Sequence, residues 1–294
     1  MRNKKILHTT LLLLIATLAT ACGGGRKSAQ ETQREEIWVS ILPLKGIVSA
    51  IVGEEYPVWV LVPAGASPES FEPSARQLAE IGRARLVLGV GLLDFEQNLL
   101  EKLGEQRPII NLSEGISLET GSCSCTHAGH SHHHAHGIDP HVWTSPRELK
   151  LLARNAYRAI RAAYPHSLHY ATRYEALAAR TEALDKQCGD QLLRAGVREF
   201  MIYHPALSYY ARAYGITQRA IEHEGKEPSA RRIAELIDEG RRMGCRNILY
   251  QSQFPASSVE IIAADLGGSA LAFDPLSEDI LSEIERVTSL IANP

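Results

Sequence analysis

Beyond its first twenty-one residues, this 294-residue chain has no apolar run long enough to cross a bilayer, which excludes a transmembrane helix in the body of the protein. An excess of positive charge is also missing. Lys and Arg number 31 against 34 Asp and Glu, so the formal charge is −3 and nucleic acid is a poor partner. His-Glu-x-x-His and Gly-x-Ser-x-Gly do not occur, and with them go the usual signatures of zinc and serine hydrolases. Cysteine is sparse, at five residues.

What is present begins with a leader. Arg2, Lys4 and Lys5 precede an apolar stretch, Leu11–Ala19, too short to span a membrane. Leu18-Ala19-Thr20-Ala21-Cys22 then resembles a bacterial lipobox, in which Cys22 is acylated and becomes the mature N-terminus. The alternative is an ordinary signal peptide cut after Ala21, with Cys22 incidental. Residues 1–21 are thus expected to be the signal peptide and 22–36 a polar tether, too polar to join a core. The expected location is exported and lipid-anchored, on the periplasmic or extracellular side. Removing three cations and no anions takes the mature charge to −6.

From Glu36 onward, short β-rich apolar runs alternate with amphipathic stretches. Strands are expected at 38–42, 58–62, 86–90 and 109–112, with helices at 44–52, 75–83 and 95–103. This βα alternation predicts an α/β fold with mostly parallel sheets. A loop of about thirty residues, 113–144, interrupts it, and loops that long are functional or disordered. Helices follow at 146–163 and from about 167 to 194, the second roughly 40 Å long at 1.5 Å per residue. Strands then return at 200–203, 217–221, 248–251 and 270–273, with helices at 206–214, 230–242, 257–266 and 278–290. The chain reads as an N-terminal lobe (37–165), a linking helix (166–195) and a C-terminal lobe (196–294). A cleft between the lobes is the natural place for a ligand.

The His-rich loop, 121–137, contains Cys123-Ser-Cys125 followed by His127, His130, His132, His133, His134 and His136. Six of the eleven histidines beyond the leader fall within ten residues. Imidazole suits zinc, copper and nickel, and thiolates shift the preference toward zinc or copper(I). A flexible tract binds adaptably and weakly, because ordering it costs conformational entropy. It could gather metal or sense its abundance; the plain alternative is a polar linker. Cys188 and Cys245 could pair in an oxidising compartment, although the sequence alone does not show that they are close.

A second set of polar residues sits at the ends of expected strands: Glu69, His141, His204 and Asp274. In open α/β sheets ligands bind beyond the carboxyl ends of strands. Two histidines and two carboxylates from two lobes can satisfy a four-coordinate divalent ion. Each alone is weak: a His-Pro after a strand is usually a packing feature, and Asp274-Pro275 could start a helix with Asp as N-cap.

The segments LVPAGASPESFEPSARQLAEI, DPHVWTSP, FMIYHPALSYYARAYGI, EGKEPSARRIAELI and AFDPLSED resemble the zinc- and manganese-binding solute-binding proteins of ABC importers. The likeness runs through nearly the whole chain beyond the leader, in order and spacing. It implies two α/β lobes joined by one rigid helix, metal in the cleft, and ligands at Glu69, His141, His204 and Asp274. The His-rich loop is similar to that of zinc-type members. One departure stands out: the family has histidine where this chain has Glu69. Either Glu69 ligates and makes a harder site, more tolerant of Mn2+ or Fe2+, or His223 or a loop histidine completes the shell. The resemblance also implies a membrane permease as partner and a monomeric, non-catalytic protein that captures zinc.

Glu222, Glu224 and Glu227 are expected to be solvated or helix-capping, with Ser229 as an N-cap. His166 and His169 are expected at the surface, and Trp143 behind His141, orienting it. A metal-storage or adhesion lipoprotein, with the His-rich tract as its working part, is the alternative. A periplasmic zinc hydrolase ranks below it.

Overall fold

The computed structural model describes residues 34–103, 109–120, 137–222, 226–254 and 256–293, with the side chains of 100–103 excepted. Cys22, Cys123, Cys125, His223, Glu224 and the histidines of 127–136 lie outside these residues.

Strand β1 (Arg34–Val39) is followed by α1 (Leu42–Val52), β2 (Val58–Val60), α2 (Ala75–Ile81), β3 (Ala84–Gly89), α3 (Asp94–Leu103) and β4 (Ile110–Asn111). The four strands form a parallel sheet in the order β2-β1-β3-β4. The first strand starts and ends earlier than the apolar pattern suggests: Arg34, Glu35 and Glu36, expected in the polar tether, belong to it, and Glu36 is buried. Pro43 occupies the opening of α1 and Ile41 is its N-cap, so Ile41 and Leu42 belong to the helix start rather than to the strand. A reciprocal capping box between Ser74 and Gln77 opens α2, and the same Gln77 amide donates to the Leu61 carbonyl, tying the loop after β2 to the helix that follows it.

A short 3-10 turn (Val142–Thr144) leads into α4 (Pro146–Ala163) and then α5 (Tyr170–Ala195). On α4 the buried residues Leu149, Leu152, Ala153, Ala156, Ala159 and Ile160 recur at three- and four-residue spacing, one apolar stripe. The 26 residues of α5 span about 39 Å. Its buried stripe is Leu177, Thr181, Leu184, Cys188 and Leu192, and it ends at Gly196, whose φ of 68° lets its N–H reach back to the Leu192 and Leu193 carbonyls.

The second half repeats the first: β5 (Glu199–Ile202), α6 (Ser208–Tyr214), β6 (Thr217–Ala220), α7 (Ala230–Met243), β7 (Ile248–Gln251), α8 (Ser257–Asp265), β8 (Ala270–Phe273) and α9 (Ile280–Ala292). Its sheet is parallel, ordered β6-β5-β7-β8, the same sequence of crossovers. Ser229 caps α7 by accepting the Arg232 N–H, as its position predicts. Asp274 does not cap the last helix; Asp279 does.

One continuous core joins Val39, Leu44 and Leu88 of the first half to Leu184 of α5 and to Ile202, Phe273 and Ile284 of the second. A second cluster, including Met201, Leu236, Ile248 and Ile262, fills the far face of the second sheet. Cys188 belongs to the first core and Cys245 to the second; both are buried free thiols, so they do not form the disulfide the sequence left open. No helix of the described residues is long and apolar enough to cross a membrane.

Candidate metal centre

Glu69 lies in the loop after β2, His141 in the loop after β4 and His204 directly after β5, all beyond carboxyl ends of strands. One donor atom from each of the three lies within 4.8 Å of the others, and both histidines are buried. His204 Nε2 is 3.0 Å from Glu69 Oε1, and Glu69 stands at the rim with its side chain 29% exposed. The two imidazoles meet edge-on, centroids 5.2 Å apart.

Each imidazole is held from behind by a buried carboxylate. Asp139 Oδ1 accepts from the His141 backbone N–H at 2.9 Å and lies 2.8 Å from the His141 Nδ1, a turn that fixes ring and backbone together. Glu222 Oε1 lies 2.8 Å from the His204 Nδ1. Occupying Nδ1 in this way assigns the proton to that nitrogen and leaves Nε2 as the donor toward a metal. The His204 peptide is clamped on both sides by one amide: its N–H donates to Gln251 Oε1 at 3.3 Å and its carbonyl accepts from Gln251 Nε2 at 2.7 Å. Phe254 stacks on the His204 ring at 5.2 Å.

Trp143 packs against His141 as expected, ring centroids 5.2 Å apart, and its indole N–H also donates across the molecule to the Pro275 carbonyl at 2.8 Å. Thr144 Oγ1 bonds the Ala206 carbonyl and Tyr209 OH the Asp139 carbonyl, at 2.8 and 2.7 Å. Three buried hydrogen bonds therefore tie the 139–144 segment to loops and helices of the second half, right behind the cluster.

Charge follows the geometry. Burial disfavours an imidazolium at His204, yet the flanking Glu222 and Glu69 carboxylates outweigh it and push its pKa up to about 9. Burial likewise acts to raise Glu69 and Asp139, but the histidines hold both below the ordinary carboxylate range. Although Glu69 is near, His204 Nε2 forms no well-directed hydrogen bond. A buried ring nitrogen in that condition, facing a carboxylate and a second imidazole, suits a divalent cation. The cavity bounded by Glu69, His141, His204, Trp143, Gln253 and Phe254 measures about 20 Å³, room for one ion or one water.

Asp274 is not brought into this cluster. Its Oδ1 accepts from the Leu276 N–H at 2.9 Å and from Gln253 Nε2 at 2.8 Å, so it stands one side chain away. Glu222, expected to be solvated or capping, is instead buried against His204. Glu227 accepts from Tyr203 OH. His166 and His169 are exposed, as expected. Asp139 and Glu222 were the functional residues that sequence reasoning missed. The Asp-Pro-His spacing was a usable signal for the first, since an Asp two residues before a fixed backbone N–H favours such a turn.

Two parallel α/β halves with imidazole and carboxylate donors gathered at their strand ends define a two-lobed metal-binding protein. Residues 37–288 match the family described as zinc-uptake complex component A, periplasmic (ZnuA), and the chain belongs to that family. A Treponema pallidum (strain Nichols) protein named for metal binding is 28% identical over 286 residues, covering 93% of this chain and 90% of its own. The zinc-binding lipoprotein AdcA of Streptococcus pneumoniae serotype 4 (strain ATCC BAA-334 / TIGR4) is 25% identical over 292 residues, 97% of this chain and 56% of its own. The chain thus spans about half the length of its AdcA relatives. Among solved structures, ZnuA is 32% identical with a TM-score of 0.79, covering 89% of this chain and 99% of its own. A zinc-bound ZnuA deletion mutant is 32% identical with a TM-score of 0.77, covering 89% and 98%.

Proposed function

We propose that this protein captures a zinc ion outside the cytoplasmic membrane and delivers it to an ABC-type permease. The observation that carries the reading is the convergence of Glu69, His141 and His204 donors within 4.8 Å in a cavity sized for one ion. The reading is capture without catalysis, in keeping with the zinc-uptake family to which the chain belongs.

His141 and His204 would ligate through Nε2 and Glu69 through a carboxylate oxygen. Asp139 and Glu222 would raise the basicity of the imidazoles and fix their direction. Mn2+ and Fe2+ are secondary cargo, favoured by the oxygen of Glu69 where the family has an imidazole. The 37–165 and 196–294 halves act as lobes about the 170–195 helix. The hydrogen bonds of Trp143, Thr144 and Tyr209 keep their relative movement small, so release would follow a slight opening on the permease. Anchoring through Cys22, a monomeric state and an auxiliary metal-gathering role for His127, His130, His132, His133, His134 and His136 complete the proposal.

The test is zinc competition with a chromophoric chelator on the double variant His141→Ala/His204→Ala. Tight binding should disappear; submicromolar affinity in that variant would contradict the cleft assignment. Storage or adhesion through the His-rich tract would leave the double variant's affinity intact.

A further inference from the structure

We propose that Gln253 supplies the fourth metal donor through its carboxamide Oε1, and that Asp274 is a positioning residue for Gln253 rather than a ligand. The inference rests on the capture reading above and refines its donor set.

Gln253 borders the same small cavity as Glu69, His141 and His204. Its Nε2 donates to Asp274 Oδ1 at 2.8 Å, and a carboxylate can only accept, so this contact decides which end of the amide is nitrogen. The other end, Oε1, is buried and has no hydrogen-bond partner. A buried carbonyl oxygen bordering a cation-sized cavity, with its own amide nitrogen pinned, is an oxygen donor awaiting a positive charge.

The backbone around Gln253 is equally well fixed. Gln251, two residues earlier, clamps the His204 peptide from both sides. The Phe254 N–H closes a turn onto the Gln251 carbonyl at 3.0 Å, and the Phe254 ring stacks on His204. The 251–254 segment is therefore registered against His204 itself, and Gln253 is carried with it.

Asp274 is tied to Gln253 and lies outside the donor cluster: its Oδ1 accepts from both the Leu276 N–H and the Gln253 amide, while the cluster gathers Glu69, His141 and His204. Charge counting agrees. Glu69 at the cluster, with Asp139 behind His141 and Glu222 behind His204, already sets three carboxylates against a divalent ion. A neutral carboxamide adds an oxygen without a fourth negative charge, and carbonyl oxygens suit the harder divalent ions.

The experiment uses the full-length protein, with Co2+ as a spectroscopic probe of the donor set and zinc competition for affinity. Gln253→Leu keeps bulk and removes the oxygen; it should weaken zinc roughly 10- to 100-fold and change the visible Co2+ bands. Asp274→Asn keeps an acceptor for the Gln253 amide and should cost less than about tenfold with little spectral change, whereas Asp274→Ala should resemble Gln253→Leu. The assignment is overturned if Gln253→Leu leaves spectrum and affinity unchanged, or if Asp274→Asn alters the spectrum and weakens zinc more than Gln253→Leu does. Because Asp274→Asn alone can overturn it, misfolding of the Leu variant does not shelter the idea. Failure of the wild-type protein to bind zinc tightly would instead overturn the cluster reading on which it rests.

Discussion

The Glu222 carboxylate lies 2.8 Å from His204 Nδ1, and both groups are buried. Removing its charge should therefore act on the metal through the imidazole. Glu222→Gln is expected to lower the His204 pKa from about 9 and to weaken zinc roughly 10- to 100-fold. Histidine NMR titration of the metal-free variant and zinc competition check the two effects; unchanged values in both would remove Glu222 from the account.

The elevated His204 pKa sets a pH dependence whose sign can be worked out. At pH 7 the ring is an imidazolium, and metal must displace the Nε2 proton. Below about pH 9 the apparent zinc affinity should fall by close to tenfold per pH unit, and calorimetry in buffers of different ionisation enthalpy should show about one proton released near pH 7. The metal-free protein should show the complementary trend. A folded pKa above the unfolded value of about 6.5 stabilises fully below that pH, and the contribution is lost as pH rises through about 9. Denaturant titrations from pH 6 to 9.5 measure this directly.

Trp143→Phe removes the donor to the Pro275 carbonyl while keeping an aromatic ring in a fully buried position. A loss of roughly 1–3 kcal/mol is expected from the carbonyl left unpaired, seen as a lower midpoint in urea. Trp143 Nε1 also links the two halves behind the cluster. The variant should therefore release bound zinc faster in stopped-flow chelation, an effect absent if the contact were packing alone.

Glu69→His would give the cluster a third imidazole. Zinc affinity should hold or rise while manganese affinity falls, because the change exchanges a hard oxygen for a softer nitrogen. Parallel titrations with both ions read the ratio; an unchanged zinc-to-manganese ratio would mean that Glu69 does not touch metal.

Much of this arrangement was legible in the chain. Parallel sheets follow from β-rich runs alternating with amphipathic helices, and the match extends to α4, β7 and β8 residue for residue. The first strand was misplaced because Ile41 and Leu42 are apolar enough for either element, and only the helix-opening role of Pro43 decides. Glu69, His141 and His204 could be read as polar residues at strand ends. Asp274 has the same local signature, yet its Oδ1 accepts from the Leu276 N–H and the Gln253 amide and the residue stays outside the cluster, a placement made by tertiary contacts. Glu222 could not be singled out from its acidic neighbours. Its burial follows from the register of β5 on β6, where the Ile221 and Glu222 N–H groups both reach the Tyr203 carbonyl.

The most direct test of the central claim is competitive zinc and manganese titration of the full-length protein with and without residues 123–136. The account predicts one tightly bound zinc per chain that survives the deletion, since Glu69, His141 and His204 lie outside the deleted tract. Loss of tight zinc binding with that segment would contradict it and make the His-rich tract, not the cleft, the working site.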